Sequence, residues 1–147
     1  MECKLWSKIY DVDTVSLRYF NVYGERMTNQ GAYVSVLSHF LRSYKNKQPL
    51  NITNDGEQKR DFVYVKDVAR ANILAMNNDL VNETINIGYG VNFSVNTLAK
   101  IFNSPIRYGE KRIEPFETLA KVDKARSLLG WQPKQNVIDW ISSVIKE

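Results

Sequence analysis

The chain has 147 residues, 44% hydrophobic and 24% charged, enough for one domain with a real core. Its formal charge of +4 is spread among interspersed charges of both signs, which argues against a nucleic-acid stripe and leaves a mild bias toward anionic ligands. Cys3, the only cysteine, excludes an internal disulfide, and with no membrane-length apolar run and no secretory signal the expected setting is a reducing, cytoplasmic one.

Residues 2–10 read as the end of an amphipathic helix that starts without a cap, as if the chain began inside an element. Thr14–Phe20 reads as a strand, and Asn21–Gly24 as a loop opening at its carboxyl end. From Tyr33 to Lys45 apolar residues recur at helical spacing. His39, the only histidine, falls inside that pattern, so it and Cys3 read as structural rather than as a catalytic or metal pair. Asn51–Thr53 is a brief strand, followed by a turn over Asn54–Lys59 and a buried strand over Phe62–Val65. Asp67 is placed to cap a helix running to about Asn77. Thr84–Ile87 is the next strand, and Ser94 is the expected N-cap of a helix bearing Val95, Leu98, Ala99 and Phe102. A short helix near Asp123 is expected to stop at Gly130, and the last helix puts Val137, Ile141, Val144 and Ile145 on one side. Strands alternating with helices predict an α/β fold, with too few long strands for a complete open parallel sheet.

Arg60 stands between an acidic, glycine-bearing turn and the Phe62–Val65 strand. That placement holds a guanidinium at the mouth of a fold, where it can grip a phosphate through two parallel hydrogen bonds.

Four blocks taken together resemble one family. They are Ser16–Gly24 (SLRYFNVYG), Asp55–Val68 (DGEQKRDFVYVKDV), Asn86–Gly88 (NIG) and Lys124–Trp131 (KARSLLGW). The family is the extended short-chain dehydrogenases/reductases, in particular the NAD-dependent nucleotide-sugar epimerases and dehydratases, with the UDP-glucose 4-epimerase branch nearest. The resemblance implies the carboxyl-terminal part of a Rossmann-like fold, a mixed or parallel small sheet with flanking helices. It implies a single substrate-binding domain over 1–147, in which 1–24 resemble the tail of the catalytic helix and a late Rossmann strand. The family's GxxGxxG turn and YxxxK pair do not occur here. NAD is thus implied for the family enzyme and not expected on this chain alone, which is expected to be inert by itself.

The resemblance further implies a UDP-sugar-like ligand, with Asn21 as the amide that reaches the diphosphate-sugar and Arg60 as the main diphosphate clamp. Glu114 falls where the family carries a carboxylate for the ribose, while Lys111 takes the place of the accompanying arginine and Arg112 follows it. Thr53-Asn54 stands where the family usually has an aromatic-glycine pair, and Lys121 and Glu25 replace a usual aspartate and proline. Plainer roles stand beside these: Arg60 paired with Asp61 or Asp55, Asn21 satisfying loop backbone, and Arg112 with Glu114 as an exposed i,i+2 pair. A non-catalytic module that self-associates, or that complements a separate NAD-binding polypeptide, is the alternative function. Helices equivalent to 1–10 and 33–45 lie near the subunit contact in the family, so a homo-oligomer is expected. Neither a nucleic acid nor a membrane is an expected partner.

Overall fold

In the computed structural model, which describes residues 2–28, 30–31 and 34–146, strands and helices alternate as the apolar periodicity predicts. Helix α1 (Glu2–Tyr10) leads into strands β1 (Val15–Tyr19) and β2 (Asn21–Tyr23). Next come α2 (Val36–Lys45), β3 (Leu50–Ile52), β4 (Lys59–Tyr64), α3 (Val65–Met76) and β5 (Glu83–Ile87). The chain then forms β6 (Asn92–Ser94), α4 (Val95–Ile101), β7 (Ile106–Tyr108), α5 (Asp123–Leu129) and α6 (Val137–Val144).

Pairing makes three small sheets: β1 with β5, β3 with β7, and β2-β4-β6. All pairs are parallel except β4 with β6, where Lys59, Arg60 and Asp61 face Ser94, Phe93 and Asn92. The fold is α/β, as expected.

Strand β4 is central because both of its faces are covered. Phe62 points into a cluster built on Leu37, Phe40, Leu50, Leu98, Phe102, Trp140 and Ile141, while Val63 points into a second one with Val68, Ile85, Ile87, Leu129 and Trp131. Alternation along a strand requires this division, and each large side chain so buried contributes roughly 1.5–3 kcal/mol.

Several elements end where local chemistry says they should. Ser94 Oγ accepts the Thr97 amide at 3.1 Å, the expected cap of α4. Ser35 and Asn136 cap α2 and α6 in the same way. Gly130 closes α5 with φ at 60°, in the left-handed region.

Other expectations are corrected. Asn21–Tyr23 is a strand, not a loop, because β4 offers it a parallel edge and Tyr23 is drawn into the core between the rings of Tyr64 and Trp140. Strand β4 begins at Lys59, so Arg60 lies within it, and Val65 already belongs to α3. The Tyr33–Lys45 helix is observed as Val36–Lys45; Tyr33 lies outside the described residues. Asp67 does not cap α3. Tyr64 is the N-cap, its side chain making no capping bond to the helix, and Asp67 is the third helical residue, with its carboxylate buried. It accepts the Lys134 and Gln135 amides at 2.7 and 3.1 Å and pairs with Arg70. The indole of Trp131 donates to the Asp67 carbonyl at 2.9 Å, so the segment leading into α6 is tied to the start of α3.

Candidate functional site

The site grows from the first three residues of β4. Lys59 faces solvent, Asp61 faces inward, and the Arg60 side chain lies along the surface with only 13% exposure. Its Nη2 donates to Glu114 Oε2 at 2.5 Å, and its Nη1 to the carbonyls of Lys59 at 2.8 Å and Phe116 at 3.4 Å. The guanidinium is therefore held flat by a carboxylate and two carbonyls. Arg60 pairs with neither Asp61 nor Asp55.

Glu114, whose side chain is 30% exposed, is ringed by donors. Its Oε1 accepts from Asn54 Nδ2 at 2.9 Å, Gln58 Nε2 at 3.3 Å and Thr53 Oγ1 at 3.4 Å. Gln58 is 5% exposed and spends its other amide contact on the Thr53 carbonyl at 3.1 Å, while its Oε1 has no hydrogen-bond partner among the described residues. Among the described residues Glu114 forms no ion pair with Arg112, so the i,i+2 alternative is not what the chain adopts.

Asn21 sits opposite Phe62 in the β2–β4 register, and its Nδ2 donates to the Asp61 carbonyl at 2.7 Å. Its amide satisfies backbone, as the plainer reading has it, and does so beside Arg60. Arg112 enters through its backbone: its amide donates to Asn54 Oδ1 at 2.7 Å. The Arg112 side chain is exposed. Partial burial, then the charges of Arg42 and Arg112, hold His39 below the usual histidine range. Of the four expected site residues, Arg60 and Glu114 thus pair directly at the start of β4, Asn21 engages the backbone of the same strand, and Arg112 is linked to them only through its amide and Asn54.

Beneath them Asp61, fully buried, accepts three amides: Tyr89 at 2.6 Å, Gly90 at 2.9 Å and Ala120 at 3.0 Å. Burial raises its pKa, and the three N–H bonds pull in the opposite direction. Gly88 is required here, since a Cβ would lie 2.3 Å from the Ala120 methyl and 3.0 Å from Asp61 Oδ2. Asp61 therefore pins two loops behind Arg60.

Thr53, Asn54 and Gln58 are the site residues that local sequence does not announce as donors. The turn itself was visible; that its side chains converge on a carboxylate more than fifty residues away was not. A hollow of about 380 Å³ lies elsewhere, between β1 and the end of α3, lined by residues that include Val15, Leu17, Tyr19 and Met76. Among the described residues no cluster of His, Cys, Asp and Glu has the makings of a metal site, and no helix is long and apolar enough to cross a membrane.

Residues 1–88 match the model of the NAD dependent epimerase/dehydratase family. The chain belongs to that family. It is 39% identical over 150 aligned positions to the Methanocaldococcus jannaschii protein named "Putative UDP-glucose 4-epimerase", covering 97% of this chain and 48% of the relative. The UDP-glucuronate 4-epimerase of Thermodesulfobacterium geofontis is 30% identical, with 93% of this chain and 43% of the relative covered. Among solved structures, the UDP-glucose 4-epimerase of Thermotoga maritima with UDP-glucose superposes with a TM-score of 0.90 at 32% identity, over 99% of this chain and 49% of that one. The chain therefore spans about half the length of the relatives it matches.

Proteins of this family use NAD, and the GxxGxxG turn that would cradle its pyrophosphate does not occur in this sequence. Holding a dinucleotide pyrophosphate takes a glycine-rich turn between a strand and a helix. The direct strand-to-helix joints here, Tyr64-Val65 and Ser94-Val95, contain no glycine.

Proposed function

We propose that this chain is the nucleotide-sugar-binding unit of an NAD-dependent sugar epimerase, one domain over 1–147 that seats a UDP-sugar-like ligand at the start of β4. The observation that carries this reading is the Arg60–Glu114 pair. Arg60 is already flattened against the strand by two carbonyls, with its remaining contact made to a carboxylate. A diphosphate carries more charge than that carboxylate and matches the guanidinium fork in geometry. In this reading Arg60 takes the diphosphate, Glu114 accepts from the ribose diol, Asn21 presents its amide beside them, and Arg112 adds positive charge at the rim. The UDP-sugars named with the similar epimerase structures support the ligand class.

Isothermal titration with UDP and UDP-glucose tests the reading. Loss of a charge-assisted contact of about 2–3 kcal/mol predicts roughly 30- to 150-fold weaker binding by Arg60→Ala. Equal heats from wild type and Arg60→Ala refute it.

A second reading, a module that associates with itself or with a separate NAD-binding polypeptide, draws on a different observation. Leu5, Trp6, Ile9 and Tyr10 of α1 are all exposed, Trp6 at 58%, and Trp6 stacks on Tyr10 at 4.6 Å. Strand β1 pairs on one side, with β5. Uncovered apolar faces and strand edges of this kind recruit partners. A monodisperse monomer by light scattering, with no hydrophobic-dye binding, counts against this reading.

A further inference from the structure

Residues 109–117 form an exposed strap across the mouth of the site, and they carry Glu114, the carboxylate that pairs with Arg60. The ends of the strap are fixed by backbone: Gly109 N donates to the Ile52 carbonyl at 2.8 Å, and Lys59 N to the Phe116 carbonyl at 2.8 Å. Between them, among the described residues, Asn54 touches the strap at three alternate positions. Its backbone amide donates to the Glu110 carbonyl at 3.4 Å, its Oδ1 accepts the Arg112 amide at 2.7 Å, and its Nδ2 donates to Glu114 Oε1 at 2.9 Å. It does this from a left-handed backbone, φ 57°, that aims the side chain at the strap. Asparagine is one of the few side chains that tolerate that conformation and still offer both a donor and an acceptor.

We propose that Asn54 is the positioning residue that sets the Glu114 carboxylate against Arg60, and thereby sets the affinity of the site for the ribose end of a nucleoside diphosphate. The inference rests on the nucleotide-sugar reading above. Asn54 touches no phosphate and works only through Glu114 and the Arg112 amide. Its loss must therefore weaken a ligand with a ribose and spare one without.

Two substitutions in the full chain separate this role from plain fold support. Asn54→Gly keeps the left-handed turn without strain and removes both side-chain contacts. Asn54→Asp keeps the acceptor for the Arg112 amide but turns an oxygen, with its charge, toward Glu114. Calorimetric titration with UDP and with inorganic pyrophosphate, alongside hydrogen exchange at the Arg112 amide and thermal melts, gives the readouts. Both variants are expected to bind UDP about tenfold more weakly and to stay folded in thermal melts, and Asn54→Gly, which adds no charge, is expected to bind pyrophosphate within twofold of wild type. Arg112 protection is expected to fall about tenfold in Asn54→Gly and to persist in Asn54→Asp. The proposal is overturned if either variant binds UDP like wild type, if UDP and pyrophosphate weaken together in Asn54→Gly, or if Arg112 protection is unchanged in Asn54→Gly. Failure of the wild type to bind UDP, or equal binding by Arg60→Ala, overturns the nucleotide-sugar reading itself. Normal binding by the Asn54 variants, with Arg60→Ala impaired, overturns the positioning role alone.

Discussion

Asp61 offers a sharp test of how the site is held up. Its Oδ1 accepts the Tyr89 amide, and its Oδ2 accepts both the Gly90 and Ala120 amides. Substitution by asparagine keeps the shape but gives one position two protons. The better orientation leaves oxygen toward Gly90 and Ala120 and sets an NH₂ against the Tyr89 N–H, so one buried donor goes unmet. An unmet buried group costs about 1–3 kcal/mol, so about 2 kcal/mol is expected for Asp61→Asn. Asp61→Ala strips the acceptor from all three amides; with partial relief from loop movement, the expected loss is about 4 kcal/mol. Urea denaturation measures both. With a slope near ~2 kcal/mol/M, the midpoints should fall by about 1 M for asparagine and about 2 M for alanine. Asp55→Asn is the control, since that exposed carboxylate accepts only the Glu57 amide, at 3.0 Å. It should shift the midpoint by less than about 0.25 M, in line with surface substitutions of under ~0.5 kcal/mol. An Asp61→Ala midpoint no lower than that of the control refutes the staple, and with it the account of how the loops behind Arg60 are fixed.

Gly130→Ala isolates backbone strain, because nothing lies within 4 Å of the added methyl while φ stays at 60°. About 1 kcal/mol is expected, lowering the melting temperature by about 2–4 °C, and an unchanged melt contradicts the left-handed cap. His39, the only histidine, gives one assignable NMR titration, whose midpoint should lie below the ordinary value near ~6.5 and move upward in Arg112→Ala. With its folded pKa depressed, its contribution to stability is present above the unfolded value and lost as pH falls through the folded one. A midpoint that does not move in Arg112→Ala removes Arg112 from the neighbourhood of α2.

Long periodic segments were legible because their signal is local. Helices α2, α4, α5 and α6, and the strands β1 and β5, follow from apolar spacing and from caps such as Ser94 and Gly130. The three-residue strands β2, β6 and β7 were misread or missed, since residues such as Asn21 or Arg107 become strand only when a distant backbone offers hydrogen bonds. Asp67 misled for a related reason. A lone aspartate near a helix start looks like a cap, and nothing nearby reveals that the amides of Lys134 and Gln135 will claim it. At the site, the family pattern placed Arg60 and Glu114 on one ligand. That they hold each other, with Asn54 and Gln58 as brackets, follows from a chain path no local pattern encodes.

The joints Tyr64-Val65 and Ser94-Val95 leave no spare residue between strand and helix. One residue added at either joint must be absorbed by slipping the strand, which turns each side chain to the opposite face, or by rotating the helix about 100°, which swings its apolar stripe off the core. Length variation is consequently excluded from these two joints and falls to connections with residues to spare, such as 77–82 between α3 and β5. Peptide tags and reporter insertions belong there rather than in 109–122, which carries Glu114.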